Sequence, residues 1–302
     1  SGRRSALPLT ISILVVLGVI AVSLSSFYAD FLWFRSVDYL QVWQTTFFTR
    51  ATLFILTGLI TALLVIANVF IAYRSRPVFA PLSVEADSLE RYRTQLEPIK
   101  KVAILGGSLA IFYFAGSAGS QLWRPWLIWQ NSTPFGEKDP QFNLDISFFA
   151  FKLPFYQALI GWFISTIIIG LLAAAVVHYL YGGIRPQGPG DRTTVAARVQ
   201  LSVLLGFIVL AKAVAYWFDR YALALKDDRI ITGLTYTDVN AVLPAKAILA
   251  GIAAICSLLF FANIFRKSWQ LPGAGVVLLA LSSIVISGLY PAAIQQFQVK
   301  PS

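Results

Sequence analysis

The chain has 302 residues, a net charge of +10 from 24 Lys and Arg against 14 Asp and Glu, and 57% hydrophobic residues with only 13% charged. Soluble domains carry about 25% charged residues, so the length does not describe two soluble domains; much of this chain has a bilayer as its solvent. One Cys (Cys256) and one His (His178) exclude an intrachain disulfide and a His-rich metal site.

Seven apolar runs are each about as long as the 20 residues needed to cross 30 Å of hydrocarbon. They are 7–27, 51–73, 101–119, 155–181, 197–217, 244–265 and 271–291. They are too long for sheet strands and lack the alternation of membrane barrel strands, and lipid demands that the backbone satisfy itself, so they are predicted to be helices.

The first run follows Arg3 and Arg4. It exceeds the roughly 7–15 apolar residues of a signal peptide, so it reads as an uncleaved span. Segment 28–50 is an outer loop carrying Trp33 and Trp43. After the second run, Pro77 and Pro81 break the chain and Ser83 can cap a short helix. Its stripe of Leu89, Tyr92, Leu96 and Ile99, flanked by Arg91, Arg93, Lys100 and Lys101, predicts a helix lying on headgroups.

The outer segment 120–154 follows the third run. Trp123, Trp126 and Trp129 recur every three residues, which one helical turn would group into an interfacial anchor or a lipid-binding face. Glu137, Asp139 and Asp145 are numerous enough for a cation, but the spacing is not that of an EF-hand. A capped turn leading into an interfacial segment explains them. The fourth run carries His178 near its inner end. The Gly- and Pro-rich 182–196 segment reads as an irregular connector.

Lys212 lies inside the fifth run, where its stem can snorkel outward or its amine can pair with Asp219. The outer 218–243 segment holds Asp219, Arg220, Tyr236, Asp238 and Asn240. Asp238 and Asn240 are caps for the sixth helix, with Pro244 an early residue of it. Lys246 sits near the outer end of that helix and snorkels. Ala247 with Gly251 and Ala250 with Ala254 favour its close packing. The short 266–270 link makes the last two spans a tight hairpin.

With a cytoplasmic N-terminus, the inner segments and their borders hold 13 basic and 5 acidic residues, and the outer segments hold 9 of each. The positive-inside rule therefore predicts a cytoplasmic N-terminus and an extracytoplasmic C-terminus. The basic excess is spread over several short segments, which argues against nucleic-acid binding. No Ser/His/Asp or Cys/His constellation, HExxH motif or dinucleotide fingerprint is present, so neither a catalytic site nor a cofactor is expected.

Several segments resemble a known family. Tyr28-Ala29-Asp30-Phe31-Leu32-Trp33-Phe34, Asp139-Pro140-Gln141-Phe142 and Asp145-Ile146-Ser147-Phe148 are three of them. Tyr216-Trp217-Phe218-Asp219-Arg220-Tyr221 and Tyr236-Thr237-Asp238-Val239-Asn240-Ala241 are the others. They are similar to the uncharacterised protein family 0182, large bacterial integral membrane proteins common in actinobacteria. The ending from Tyr290 to Pro301 resembles that family's junction with a large extracytoplasmic region, which implies that the chain is the membrane part of a longer protein. The absence of Met, even at position 1, also points to a trimmed chain. The resemblance carries no catalytic residues.

The expected fold is an all-α polytopic bundle of seven transmembrane helices with short interfacial helices. The expected role is a plasma-membrane domain of the bacterial envelope that anchors an extracytoplasmic domain. Transport or lipid handling near the outer aromatic belt is the alternative. Lipids, a second copy, or other envelope proteins are the expected partners.

Overall fold

The computed structural model describes residues 7–77, 97–185, 192–227, 233–266 and 270–299. Among these, the only extended pairing is two isolated antiparallel bridges, Lys138 with Asp145 and Ile184 with Thr193. The α-helices in chain order are α1 (Leu7–Ser36), α2 (Leu40–Arg74), α3 (Lys100–Ser120), α4 (Trp123–Gln130) and α5 (Leu153–Leu180). They continue with α6 (Val195–Ala222), α7 (Leu243–Arg266), α8 (Gln270–Ser282) and α9 (Tyr290–Ile294). Six helical stretches are long and apolar enough to cross a membrane: Leu40–Arg74, Lys101–Ser120, Phe148–Leu180, Val195–Leu225, Asp238–Arg266 and Gln270–Phe297. The 30-residue α1 contains the first predicted span. Each of the seven predicted spans thus falls within helical structure.

The chain forms two compact units, residues 1–52 and 53–302. In the first, the predicted outer loop 28–50 is almost wholly helical. Helix α1 runs on to Ser36 and α2 starts at Leu40, because Asp38 adopts a left-handed φ of 64° and turns the chain at once. An aromatic seam closes this hairpin. Phe27 and Phe31 set their rings 5.0 and 5.2 Å from Trp43, and Trp43 stacks on Phe47 at 5.4 Å.

The second unit has the burial pattern of a protein dissolved in hydrocarbon. Leu172 and Leu258 are 60% and 66% exposed, whereas Thr61, Thr166, His178, Ser202, Ser257 and Asn263 are buried. Lipid tails are as apolar as leucine, so close packing and hydrogen bonds, not apolar burial, hold such helices together. Thr61 of α2 and Thr166 of α5 share a hydroxyl hydrogen bond of 3.0 Å. His178 Nε2 of α5 bonds Gln200 Oε1 of α6 at 2.9 Å, and Gln200 Nε2 donates to the Asn68 carbonyl of α2. Ser257 of α7 donates to the Gly206 carbonyl of α6, and Asn263 Nδ2 donates to Ser202 Oγ at 2.7 Å. Helix α3 meets α2 where Gly116 and Gly119 face Phe54 and Thr57, and a Cβ at Gly116 would lie 2.7 Å from the Phe54 carbonyl.

The small-residue prediction for α7 holds for Ala250 and Ala254 and is corrected for Gly251. Gly251 of α7 has open space around it, and the packed face of that helix is Ala245, Leu249, Ala250, Ala253, Cys256 and Phe260. Val209 and Ala213 of α6 pack on that face, and Gly275 of α8 lies beside Phe260. The 182–196 connector, predicted to be irregular, has one isolated antiparallel bridge among its described residues, with Arg185 N–H donating to the Arg192 carbonyl and Thr194 N–H to the Gly183 carbonyl. The predicted surface helix around 84–98 lies outside the described residues, apart from a turn at Glu97–Ile99.

Candidate functional site at the aromatic end of the bundle

Helices α5 and α7 begin in the same way. Each carries a Leu-Pro pair, Leu153-Pro154 and Leu243-Pro244, and each is preceded by a single wide turn, Phe148–Lys152 and Asp238–Val242. Proline has no N–H to give and its ring crowds the carbonyl four residues back. The leucine before it therefore bonds one residue further back, Leu153 to the Phe148 carbonyl and Leu243 to the Asp238 carbonyl. One carboxylate anchors the chain at each turn, Asp145 just ahead of the first and Asp238 as the first residue of the second.

At α5 the anchor is Asp145. Its Oδ1 accepts the N–H groups of Phe135 (3.1 Å) and Ser147 (2.9 Å), and its Oδ2 accepts that of Gly136 (2.9 Å). The Ser147 hydroxyl and these three N–H groups hold the Asp145 carboxyl well below the usual carboxylate range. Asp139 Oδ1 accepts from Gln141 and Phe142 at 3.0 and 2.8 Å, and Asn143 closes the turn with φ 54°. Both carboxylates are thus aimed at their own backbone.

At α7 the anchor is Asp238, only 4% exposed. Its carboxylate accepts the Thr235 N–H (3.0 Å) and hydroxyl (2.6 Å), while its own N–H donates to Thr235 Oγ1. This is a reciprocal capping box. Lys226 approaches to 3.3 Å and supplies the opposite charge. Asn240 Nδ2 donates to the Tyr236 carbonyl, and the Tyr236 side chain stays exposed. Thr237 donates its hydroxyl to Gln295 Oε1 at 2.5 Å, which ties this turn to the chain just past α9.

Aromatic packing joins the first anchor to α6. Tyr221 sits 5.1 Å from Phe142 and 5.4 Å from Phe148. Trp126 and Trp129 of α4 both pack on Phe155, and Trp129 Nε1 lies 3.4 Å from the Tyr156 hydroxyl. The predicted grouping of tryptophans on one helical turn therefore brings Trp126 and Trp129 together, and they face α5. Trp123 opens α4.

The charged candidates are placed differently from expectation. Lys212 does not pair with Asp219. The two are about 10 Å apart along α6 at 1.5 Å per residue, and Asp219 pairs instead with Lys246 of α7 at 3.4 Å. Lys212 is exposed on α6 with its amine 5.3 Å from the Tyr216 ring centre. Arg220 stacks over Trp217 at 4.4 Å.

Sequence reasoning missed Lys226, Thr235, Thr237, Gln295 and Ser147. The Thr235-x-x-Asp238 spacing before an apolar run was a usable signal for one of them; the contacts of Lys226 and Gln295 come from distant segments and leave no local pattern. No group of three potential metal ligands occurs among the described residues. His178 and Cys256 lie far along their helices from this end. The arrangement holds and orients chain segments.

The profile of the Uncharacterised protein family (UPF0182) matches residues 7–302. A UPF0182 protein of Streptomyces coelicolor is 49% identical over 307 residues, covering 100% of this chain and 31% of the relative. One from a Nocardioides species is 47% identical over 301 residues, with 99% and 30% covered. One from Frankia alni is 46% identical over 273 residues, with 90% and 27% covered. The chain thus spans about a third of the length of these curated relatives, all actinobacterial. No solved structure matches it. With profile and relatives running over nearly every residue, the chain belongs to the UPF0182 family.

Proposed function

We propose that this bundle is a plasma-membrane domain of the bacterial envelope that anchors and positions an extracytoplasmic region of a longer protein. The observation that carries the reading is the Thr237–Gln295 bond. It fastens the chain beyond α9 to the Asp238 knot, so a segment continuing outward leaves from a fixed point. The Lys and Arg bias supports an extracytoplasmic exit, and the length of the relatives leaves room for such a region. The test is a Thr237→Val, Gln295→Leu double variant of the full-length protein. A spin label beyond residue 302 should gain mobility while the melting temperature of the bundle stays put. Unchanged mobility would defeat the anchoring role.

Lipid handling is a second reading, and one feature favours it. A groove of about 460 Å³ between α5 and α6 is lined by residues such as Leu159, Phe163, Phe207 and Val214, and Trp162 Nε1 beside it has no hydrogen-bond partner. Such a groove suits an acyl chain and not a polar solute. Lipid exchange between vesicles, accelerated by the protein and blocked by Leu210→Trp, would favour this reading over the first.

A further inference from the structure

The opposite end of the second unit carries a cluster of guanidinium groups for which the bundle itself has no use. We propose that Arg76, Arg185 and Arg192 form a binding site for the phosphate headgroup of an anionic phospholipid.

The described stems of the connector between α5 and α6, residues 181–185 and 192–194, are held by backbone hydrogen bonds. Helix α5 ends when Gly182 takes a φ of 74°, and the chain folds back so closely that a Cβ on Gly183 would lie 2.7 Å from His178 Nδ1. The His178 carbonyl accepts the N–H groups of both Gly183 (2.6 Å) and Ile184 (3.1 Å). The His178 ring below is locked by Gln200, itself bonded to Asn68 of α2. Arg198 Nη2 holds the returning strand by donating to the Thr193 carbonyl at 2.9 Å.

At these stems the bridge between Ile184 and Thr193 sets Arg185 and Arg192 directly opposite each other. Residues so placed point to the same face with Cβ atoms about 5 Å apart, and like charges there repel. Neither arginine is drawn away to a carboxylate among the described residues, and Arg185 Nε is buried with no hydrogen-bond partner. Arg76, at the end of α2, brings a third charge to the same connector. Its guanidinium lies 4.1 Å from the Tyr73 ring centre and 5.7 Å from that of Tyr181, and the two rings meet edge to face at 5.1 Å. Three guanidinium groups with no carboxylate partner among the described residues repel one another, and a bound anion lowers that repulsion.

The position decides which anion. Immediately towards the membrane lie the exposed apolar side chains of Ile71, Val176 and Tyr179. A ligand here meets guanidinium groups at its head and hydrocarbon-facing helices at its tail. A phospholipid has both parts and inorganic phosphate has one. Tyrosine rings beside the cations fit the headgroup level.

The test uses the full-length protein in detergent, titrated with phosphatidylglycerol or phosphatidylcholine and read by native mass spectrometry. The wild type should retain phosphatidylglycerol preferentially, and the preference should weaken as salt rises. The R76Q/R185Q/R192Q variant should lose about tenfold or more of that preference, as expected when three juxtamembrane charges are removed. Its melting temperature in zwitterionic detergent reports whether it still folds. A wild type with no preference would overturn the proposal without reference to any variant. So would a folded triple variant that keeps the preference. Displacement of the lipid by inorganic phosphate at equal concentration would reassign the site to a soluble anion and overturn the lipid assignment.

Discussion

Asp145 and Asp238 perform one task in two environments. Asp145 is half-buried and satisfied by three backbone N–H groups. Its folded pKa lies below the unfolded value of about 3.9. The stabilisation it gives is therefore fully present above about pH 5 and is lost as pH falls below about 4 towards the folded value. Protection factors of the Phe135 and Gly136 amides should be flat from neutral pH to about pH 5 and decline below pH 4, and in Asp145→Asn they should be low throughout. Asp238 is buried, and its loss removes a capping box. Asp238→Ala should cost about 1–2 kcal/mol in denaturant unfolding, as caps do. It should not cost the 3–5 kcal/mol of a broken fully buried pair, because Lys226 is 38% exposed and can reach water. Lys246→Ala, at a pair partly exposed on both sides, should stay within about 1 kcal/mol. Both acids were legible in the sequence as caps, because capping needs only a short polar side chain at a local spacing. Gln295, the remote partner of the neighbouring Thr237, was not, because nothing local links it to a residue nearly sixty positions earlier.

Among the elements, the helices themselves were legible and their facing surfaces were not. An apolar run of 20 residues can only be a helix in lipid. Which side of it meets protein is hidden, since lipid and neighbouring helix are equally apolar and hydrophobic periodicity carries little information. The small-residue spacings read on α7 were one clue, and they hold for Ala250 and not for Gly251. The Ala247/Gly251 spacing leaves Gly251 facing open space, while Gly116 and Gly119 of α3 are pressed on Phe54 and Thr57. Gly119→Val should push α3 from α2 and cost about 1–3 kcal/mol, the usual penalty of overpacking. Gly251→Val should leave the melting temperature in the same detergent unchanged or raised. Equal losses from both would mean that α7 has a partner on its open face. The polar contacts between helices make a related point. Thr166→Val should cost only about 0.6 kcal/mol, since such bonds across membrane helices average that value. The paired Leu-Pro starts of α5 and α7 were visible as sequence, but the wide turns ahead of them follow from the missing proline N–H only once a helix is known to precede it.

For the molecule as a whole, charge carries the information that apolar content does not. Hydrophobic runs are symmetric between the two sides of a membrane. The Lys and Arg bias is not, and the orientation proposed from it puts the connector end of α5 and α6 in the cytoplasm. Under the headgroup site proposed above, Arg76, Arg185 and Arg192 would give that bias a use beyond orientation. Orientation is open to direct measurement, since the single native thiol, Cys256, is fully buried and silent. Phe135, 52% exposed, and Val195, 48% exposed, lie at opposite ends of the second unit. In intact cells an impermeant maleimide should label Phe135→Cys and spare Val195→Cys, and permeabilisation should make the second react as fast as the first. The reverse order would place the arginine cluster outside. The headgroup site would then face the outer leaflet, and the chain beyond α9 would emerge into the cytoplasm, which would remove the basis for an extracytoplasmic anchor.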